Sequence, residues 1–300
     1  MIKTILLTGP TGFLGSHLLE ALIHEGYDVV ILKRSFSDTW RIDHLMASVK
    51  SYDIDLNSVE KAFEEQKIDA VIHTATNYGR KNEKVSEIVD TNLMFGLKLL
   101  ETAAIFHTRV FFNTDTLQYK YLSTYTLAKR QFAEWLKFFS ETGEMKIVNF
   151  RLEHMYGPKD DRTKFVFWLL EQMLSDTDKI PLTTGDQKRD FIYVTDIVKA
   201  YLLLLPLTEK IQKFNEYDVG TGNQLSIKEF VLKLKDAVER VQKKEVTTEL
   251  AFGSLKYRKG EMMIINEDVR PLFDLGWRPA TGLTEGLESV VTEFIQRGKN

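Results

Sequence analysis

The most constraining stretch of the sequence is a glycine-rich turn between a short apolar strand and an amphipathic helix. Thr4–Thr8 has the pattern of a buried strand, and apolar residues at helical spacing resume after Ser16. One glycine allows a tight turn, one lets the backbone approach a pyrophosphate and one lets helix and strand pack closely. The helix N-terminus then directs amide groups and the positive end of its dipole at the phosphates. This pattern predicts a dinucleotide-binding turn, with a glycine-rich turn that binds no ligand as the alternative; its residues are Thr8, Gly9, Thr11, Gly12, Phe13, Leu14 and Gly15.

Length and composition narrow the class of protein. The 300 residues suffice for one large α/β domain, or for a domain with a smaller lobe. The formal net charge of −3 gives no sign of a nucleic-acid partner, and the absence of cysteine excludes a disulfide framework and a thiolate zinc site. No signal segment precedes the first strand, and the apolar run near 201–206 is too short to span a bilayer. We therefore expect a cytoplasmic protein without a metal centre, a nucleic-acid partner or a membrane anchor.

The second predicted strand ends in basic and hydroxyl side chains. Asp28–Leu32 is apolar after its first residue and is followed by Lys33, Arg34 and Ser35. In dinucleotide-binding folds, an acidic residue at this place binds the ribose hydroxyls of NAD. No acid stands here, whereas two cations and a hydroxyl suit a 2′-phosphate. We therefore predict NADP(H) as the preferred cofactor and NAD(H) as the alternative, while two solvated surface cations are the competing interpretation.

The third and fourth predicted strands complete the expected cofactor-binding edge. Ser51–Ile54 reads as a short strand in which Asp53 is placed to reach an adenine amino group, with a turn or helix-cap aspartate as the alternative. Asp69–Ala75 is an apolar strand that ends in small residues, over which a cofactor can lie. Asn92 is polar within the predicted helix 85–107, where we expect it to support the structure or an active-site water. The cofactor-binding candidates in this region are Asp53, Ile54, His73, Thr74, Ala75 and Asn92.

The fifth predicted strand and the helix after it carry the candidate catalytic groups. Val110–Thr116 ends in polar residues, and Tyr125 and Lys129 are four residues apart, on one face of the next helix. A lysine cation beside a phenol favours the phenolate and lowers the tyrosine pKa. Such a tyrosine can pass a proton near neutral pH, and the Thr114 hydroxyl can orient a carbonyl beside it. A packed tyrosine and a solvated lysine are the alternative interpretation.

These three features occur in the order found in one enzyme family. The chain resembles the extended short-chain dehydrogenase/reductase family, in its NAD-dependent epimerase/dehydratase group, whose members act on nucleotide sugars. The resemblance also rests on Arg151–Pro158, which is similar to the family's R-x-x-N-x-Y-G-P. Arg189–Asp196 is similar to the family's R-D-F-x-x-V-x-D. The resemblance covers nearly the whole chain.

The resemblance implies a fold and a set of ligand contacts. The implied fold is α/β, a Rossmann-type doubly wound parallel sheet with a smaller, discontinuous C-terminal substrate-binding lobe. The dinucleotide-binding domain would comprise 1–155 with about 190–215, and the nucleotide-sugar lobe about 156–189 with 216–300. Arg189 would bind the substrate pyrophosphate through its guanidinium fork, and His154 replaces the family's asparagine. Further implied contacts are Leu152 and His154 to the cofactor, and Thr76, Asn77, Thr116, His154 and Arg189 to the substrate.

The residues after the fifth strand favour one reaction within the family. Dehydratases that form 4-keto-6-deoxy sugars carry Thr-Asp-Glu at this place, whereas the triplet here is Thr114–Asp115–Thr116. Elimination therefore lacks its glutamate base, and Asp115 is the acid that remains. The connection from Thr114 to Tyr125 is also shorter than in most epimerases and dehydratases. These strings, with 131–137 and 153–161, look like those of CDP-abequose and CDP-paratose synthases, which are NADPH-dependent reductases.

The resemblance thus implies reduction of the C4 ketone of a CDP- or dTDP-linked 4-keto-6-deoxyhexose in deoxysugar biosynthesis. The catalytic candidates are Thr114, Asp115, Tyr125 and Lys129. The alternatives are an NAD-dependent nucleotide-sugar 4-epimerase and a dinucleotide-binding sensor without catalysis. The helix after Tyr125 carries more apolar residues than one buried stripe needs, so we expect a homodimer through this helix, with internal packing as the alternative.

Overall fold

The computed structural model describes residues 2–297. The chain forms two compact units, the first comprising Met1–Leu152 with Val198–Val219 and the second Glu153–Ile197 with Gly220–Asn300. The strands are β1 (Thr4–Thr8), β2 (Asp28–Lys33), β3 (Lys50–Asp53), β4 (Ala70–His73), β5 (Val110–Thr116), β6 (Lys146–Leu152), β7 (His154–Tyr156), β8 (Lys179–Pro181), β9 (Lys188–Tyr193), β10 (Phe214–Val219), β11 (Gln224–Ser226) and β12 (Glu249–Ala251). The helices are α1 (Phe13–His24), α2 (Glu60–Glu65), α3 (Val85–Val89), α4 (Phe95–Ile105), α5 (Thr124–Thr142), α6 (Phe165–Leu174), α7 (Val194–Leu207), α8 (Ile227–Gln242), α9 (Arg270–Asp274) and α10 (Leu283–Arg297).

The first unit is built on a seven-stranded parallel sheet in the order β10-β6-β5-β4-β1-β2-β3. Its central strands are apolar throughout, because helices cover both faces: Ile5, Leu6 and Leu7 are fully buried. Side chains of β5 alternate between those faces. Phe111 therefore packs against Phe132 of α5, whereas Phe112 packs against Tyr201 of α7. The predicted Rossmann-type doubly wound parallel sheet is confirmed.

The segment predicted as one helix over 85–107 is interrupted. A single π-helical turn, Asp90–Met94, joins α3 to α4. This turn carries the buried Asn92, whose side-chain oxygen accepts from the backbone N–H of Asn77 at 2.9 Å and whose amide donates to the Asn77 carbonyl at 2.7 Å. The irregular turn therefore fixes the loop that follows β4.

Helix α5 begins at a well-defined cap. The hydroxyl of Ser123 accepts from the backbone N–H of Thr126, and the Thr126 hydroxyl accepts from the backbone N–H of Ser123, at 3.2 and 2.9 Å. Such a reciprocal pair fixes the first turn of a helix, and here it fixes the orientation of Tyr125. Further along α5, Trp135 and Phe138 are 43% and 53% exposed. The homodimer stays a prediction, and these two side chains are the ones that it would bury.

The second unit has its own hydrophobic core. Helices α6, α8 and α10 supply most of it, and the rings of Phe191 and Phe230 stack at a centroid distance of 3.6 Å. A three-stranded sheet, in the order β11-β9-β7, and the pair β12-β8 complete the unit. Within residues 2–297, no helix combines the length and the apolar character that a membrane span requires.

Candidate active site

At its tightest points, the glycine turn after β1 has no room for a side chain. Gly9 has a φ of +68°, and a Cβ there would lie 2.8 Å from the backbone nitrogen of Ala75. A Cβ at Gly15 would lie 2.0 Å from the Gly9 carbonyl oxygen, so α1 packs directly on the turn. Gly12 is exposed, caps α1 and donates its N–H to the Gly9 carbonyl at 3.0 Å, while Phe13 and Leu14 are buried. An exposed glycine at a helix N-terminus fits a dinucleotide pyrophosphate.

Two predicted cofactor contacts, Thr8 and His73, are corrected by the structure. The Thr8 hydroxyl lies 2.8 Å from His73 Nδ1, both residues are fully buried, and the Thr74 hydroxyl donates to the Thr8 carbonyl. Burial is the main cause that holds the His73 pKa well below its usual range, and the Lys129 charge adds to it. These side chains fasten the strand ends together from inside the core. The aromatic neighbours of the neutral imidazole are Phe95, Phe111 and Phe132.

Asn92 is a third correction. Both polar atoms of its side chain are hydrogen-bonded to the Asn77 backbone, so the amide positions a loop instead of facing a cofactor. Thr76 and Asn77, the predicted substrate contacts, lie in that loop. The geometry therefore gives Asn92 the structural role that was one of the two expectations for it.

Carboxylates already hold two of the three side chains predicted to bind a 2′-phosphate. Lys33 pairs with Asp53, which stands opposite it in the β2–β3 register, and the backbone N–H of Ile54 donates to the Lys33 carbonyl. The Ser35 hydroxyl donates to Asp55 at 2.6 Å, which lowers the pKa of that carboxyl. Asp53 therefore contacts a lysine where an adenine contact is predicted.

Two arginines lie near the end of β2, where their positive charges suit an anion. The exposed Arg34 places its guanidinium carbon 4.9 Å from the ring centroid of Phe36. Arg41, which the sequence reasoning missed, donates from Nη1 to the carbonyl of Thr11 at 3.2 Å, in the glycine turn itself. Arg34 is the predicted cation that the carboxylates of Asp53 and Asp55 leave unengaged.

Lys129 is the most unusual charge in the first unit. The residue is 1% exposed, and its ammonium has no hydrogen-bond partner among residues 2–297. Burial lowers its pKa to about 8, although the charge of Asp115 opposes this shift. A buried ammonium without a partner is costly unless a ligand supplies acceptors. The ribose hydroxyls of a dinucleotide are acceptors of that kind, so Lys129 also fits the cofactor.

Tyr125 departs from the expected phenolate. Burial raises its pKa well above the usual value, and Tyr78 and Asp115 raise it further. A hydrogen bond from Thr116 and the charge of Arg80 oppose this shift. The expectation that the tyrosine pKa is lowered is therefore corrected, because desolvation outweighs the Thr116 hydrogen bond and the charge of Arg80. The raised pKa favours the phenol form of Tyr125, which is the form that can donate a proton.

Asp115 is committed to structural contacts. Its side chain is fully buried, one oxygen accepts from the backbone N–H of Thr116 at 2.8 Å, and the other lies 3.3 Å from both Arg130 Nη1 and Asn149 Nδ2. These contacts occupy both oxygens and hold the side chain between Thr116, Arg130 and Asn149. The structure therefore does not support Asp115 as a catalytic acid or base.

An aromatic and basic pair that the sequence reasoning missed lies against Tyr125. The ring of Tyr78 is 5.0 Å from that of Tyr125, and the Arg80 guanidinium lies 5.0 Å from the Tyr78 centroid. Both residues belong to the loop that Asn92 fixes. No periodic pattern marks this loop, so only the three-dimensional contact shows that it covers the phenol.

The second unit holds the remaining predicted substrate contacts. Arg189 is 4% exposed and forms an ion pair with Glu261, whose other oxygen accepts from Arg258 Nε at 2.6 Å. His154 is oriented by Glu153, with 2.5 Å between Nδ1 and Oε2. Two guanidinium groups held by one carboxylate suit a diphosphate. Arg258 and Glu261 were missed because they lie in an irregular segment without periodicity.

Comparison with known proteins decides the family. A family described as "NAD dependent epimerase/dehydratase family" matches residues 5–220. The CDP-abequose synthase of Salmonella typhimurium is 32% identical, over 96% of this chain and 97% of that protein. The chain belongs to the NAD-dependent epimerase/dehydratase family. The predicted family resemblance is thereby confirmed.

Two further members of the family are epimerases by name. A putative UDP-glucose 4-epimerase of Methanocaldococcus jannaschii is 27% identical, over 96% of this chain and 97% of that protein. The crystal structure of UDP-glucose 4-epimerase from Thermotoga maritima, with UDP-glucose, superposes with a TM-score of 0.84 at 24% identity, covering 98% of this chain and 99% of that one. The structural likeness shows that this family member has the family fold. Residues 2–297 contain no group of three or more histidine, aspartate and glutamate side chains arranged to hold a metal ion.

Replacing the buried lysine should stabilise the protein. At pH 7 the Lys129 ammonium is charged in the folded and unfolded states, and its folded pKa of about 8 means that folding disfavours the charge. Lys129→Met should therefore raise the free energy of unfolding by about 1–3 kcal/mol at pH 7. The gain should shrink above pH 8, where the folded wild type loses the proton. Denaturant midpoints at pH 7 and pH 9.5 measure this, with Lys137→Met, an exposed site on the same helix, as control. A variant less stable than wild type at both pH values would contradict it.

Proposed function

We propose that this family member reduces the C4 ketone of a nucleotide-linked 4-keto-6-deoxyhexose with NADPH. The observation that carries the proposal is the arrangement of Tyr125 one helical turn from Lys129 on α5, where Lys129 is buried without a hydrogen-bond partner among residues 2–297 and burial raises the Tyr125 pKa. A ketone that accepts a hydride needs a proton donor of this kind for its oxygen. Support also comes from the similarity to CDP-abequose synthase over nearly the full length.

The proposed steps assign separate tasks to the side chains. When bound, a nicotinamide dinucleotide would supply the hydride that adds to C4. As the carbonyl electrons move to the oxygen, Tyr125 gives its proton to that oxygen and becomes a phenolate. The Lys129 charge then stabilises the phenolate, and its ammonium would hold the cofactor by donating to the nicotinamide ribose hydroxyls. Solvent returns the proton to Tyr125.

The same residues argue against a dehydratase. Elimination of water needs a base at the position where the chain carries Thr116. Asp115, the remaining acid, is buried and bound by Arg130 and Asn149. A threonine cannot take a proton from carbon, so the site retains the redox part of the family's chemistry without the elimination.

The proposed substrate carries a nucleoside diphosphate, CDP- or dTDP-linked. We assign its diphosphate to Arg189 in the second unit, where Glu261 holds the guanidinium in place and is itself bound by Arg258. His154, whose ring is fixed by Glu153, presents an additional donor at the place where the family carries asparagine. NADPH is preferred in this proposal because Arg34, which the carboxylates of Asp53 and Asp55 leave unengaged, can pair with a 2′-phosphate.

A 4-epimerase is the second candidate, because two family members compared above carry that name. An epimerase must first remove a proton from a hydroxyl, which requires a phenolate, and the raised pKa of Tyr125 favours the phenol instead. An epimerase would purify with bound NAD and need no added cofactor. A dinucleotide sensor without catalysis has no use for the arrangement of Tyr125 and Lys129.

Turnover of a keto sugar tests the proposal. Purified protein mixed with NADPH and CDP- or dTDP-4-keto-6-deoxyglucose should consume NADPH, followed by its absorbance. Tyr125→Phe removes only the hydroxyl, so it should lose about two to four orders of magnitude in kcat while it still binds the cofactor. Lys137→Met should retain wild-type turnover. If neither keto sugar oxidises NADPH, the proposed reaction is excluded.

Arg34 should govern cofactor choice. Arg34→Ala removes a charge-assisted contact to the 2′-phosphate, which is worth about 1.5–3 kcal/mol, so NADPH affinity should fall about tenfold or more. NADH affinity should change little, because NADH lacks that phosphate. Arg34→Lys, which keeps the charge and loses the fork, should lie between them. Fluorescence titration of both cofactors measures this; equal weakening of both would assign Arg34 no part in discrimination.

A further inference from the structure

An irregular segment of the second unit, residues 258–267, lies beside β9. The backbone N–H of Lys188 donates to the carbonyl of Met263 at 2.7 Å. The next residue of the strand, Arg189, forms its ion pair with Glu261. Both contacts place the segment against the arginine to which the substrate diphosphate is assigned, so whatever holds the segment on the strand also holds that arginine in place.

Two carboxyl groups meet at the end of this segment. A Cβ on Gly220 would lie 2.6 Å from Oε2 of Glu267 and 2.7 Å from Oδ2 of Asp190, so both oxygens approach the same point beside this glycine. Asp190 is fully buried on β9, and Oε2 of Glu267 is buried as well. A glycine at this position leaves the space in which the two acids come together.

The two acids differ in their hydrogen-bond donors. Asp190 accepts from the Thr221 hydroxyl at 2.6 Å and from the backbone N–H of Gly222 at 2.7 Å. Oε1 of Glu267 accepts from Gln224 Nε2 at 3.3 Å, whereas nothing in the described part of the chain donates to Oε2. Donors stabilise the ionised form of a carboxyl, so these contacts favour a proton on Glu267. Its O–H can then donate to Asp190.

The surroundings of Glu267 favour the same proton. Burial raises the pKa of Glu267 most, the charge of Asp190 and the hydrogen bond with it add to this, and together they bring the pKa to about 8. The charge of Glu153, ahead of β7, acts in the same direction, and the hydrogen bond from Gln224 opposes it. Glu153 is itself in contact with His154, at 2.5 Å from Nδ1. Both carboxylates that act on Glu267 thus favour its neutral form.

We infer that Glu267 and Asp190 share one proton and that this proton holds the 258–267 segment on β9. Its part in the reaction rests on the proposed function, since the segment positions Arg189 for the substrate diphosphate. Loss of the proton leaves two negative charges facing each other in a buried place, and their repulsion releases the segment from the strand. Because folding raises the pKa of Glu267, the stabilisation is present at low pH and is lost as the pH rises through about 8. Glu267 is therefore a positioning residue for diphosphate binding.

A variant that cannot titrate tests the inference. Glu267→Gln offers Asp190 a permanent N–H donor without a charge. The reporter is hydrogen exchange at the Lys188 amide, whose acceptor lies in the segment. From pH 6 to pH 8.5, exchange in the wild type should accelerate about tenfold or more relative to exchange in Glu267→Gln at the same pH. Glu245→Gln, at an exposed glutamate, is the control and should follow the wild type.

Binding of CDP and dTDP at the same two pH values connects the shared proton to the diphosphate site. The affinity of the wild type should fall several-fold more than that of Glu267→Gln between pH 6 and pH 8.5, because release of the segment removes Arg258 and frees Arg189 from Glu261. The titration of the nucleotide itself is common to both proteins and cancels in the comparison.

The outcomes separate this inference from the proposed function. An exchange ratio between wild type and Glu267→Gln that stays constant from pH 6 to pH 8.5 overturns the shared proton and leaves the ketoreductase intact. Nucleotide affinities with the same pH dependence in both proteins overturn the positioning role. If circular dichroism shows that Glu267→Gln does not fold, Asp190→Asn, which removes the other charge of the pair, takes its place and the same ratio decides. Absence of CDP and dTDP binding at both pH values instead overturns the assignment of the diphosphate to Arg189, while the exchange ratio still decides whether the proton is shared.

Discussion

The burial of the Lys129 ammonium is the interaction on which the rest of the site depends. The lysine lies one helical turn beyond Tyr125 on α5 and has no hydrogen-bond partner among residues 2–297. Its surroundings are built to tolerate a charge: the histidine nearest to it is neutral, and a buried aspartate offsets part of the cost. A fold that keeps such a charge in its core sacrifices stability for ligand binding or catalysis.

The acid form of Tyr125 follows from the same burial. A solvated phenol beside a lysine would lose its proton more readily, whereas this phenol is desolvated and lies against Tyr78. Burial therefore favours the protonated form of this side chain. Thr116 and Arg80 act in the opposite sense and limit how strongly the proton is held.

Much of the first unit could be predicted from sequence, because its strands are continuous apolar runs and its glycine turn has a fixed spacing. The side-chain contacts between neighbouring strands could not be predicted in this way. The pairing of Lys33 with Asp53 depends on the β2–β3 register, and the pairing of Ser35 with Asp55 lies just beyond it. The sequence does not show which side of the strand end His73 faces. Its contact with Thr8 shows that it faces the core. Arg258 and Glu261 lie outside regular elements, where no periodicity guides prediction.

The central claim is that the site adds hydride to C4 and a proton to the oxygen there. The most direct measurement follows the hydride itself, with NADPH that carries deuterium at the transferable position of the nicotinamide. The account predicts one deuterium at C4 of the product sugar, seen by NMR, and one NADP⁺ formed for each sugar reduced. Sugar converted without net oxidation of NADPH, or a product without deuterium at C4, would contradict it.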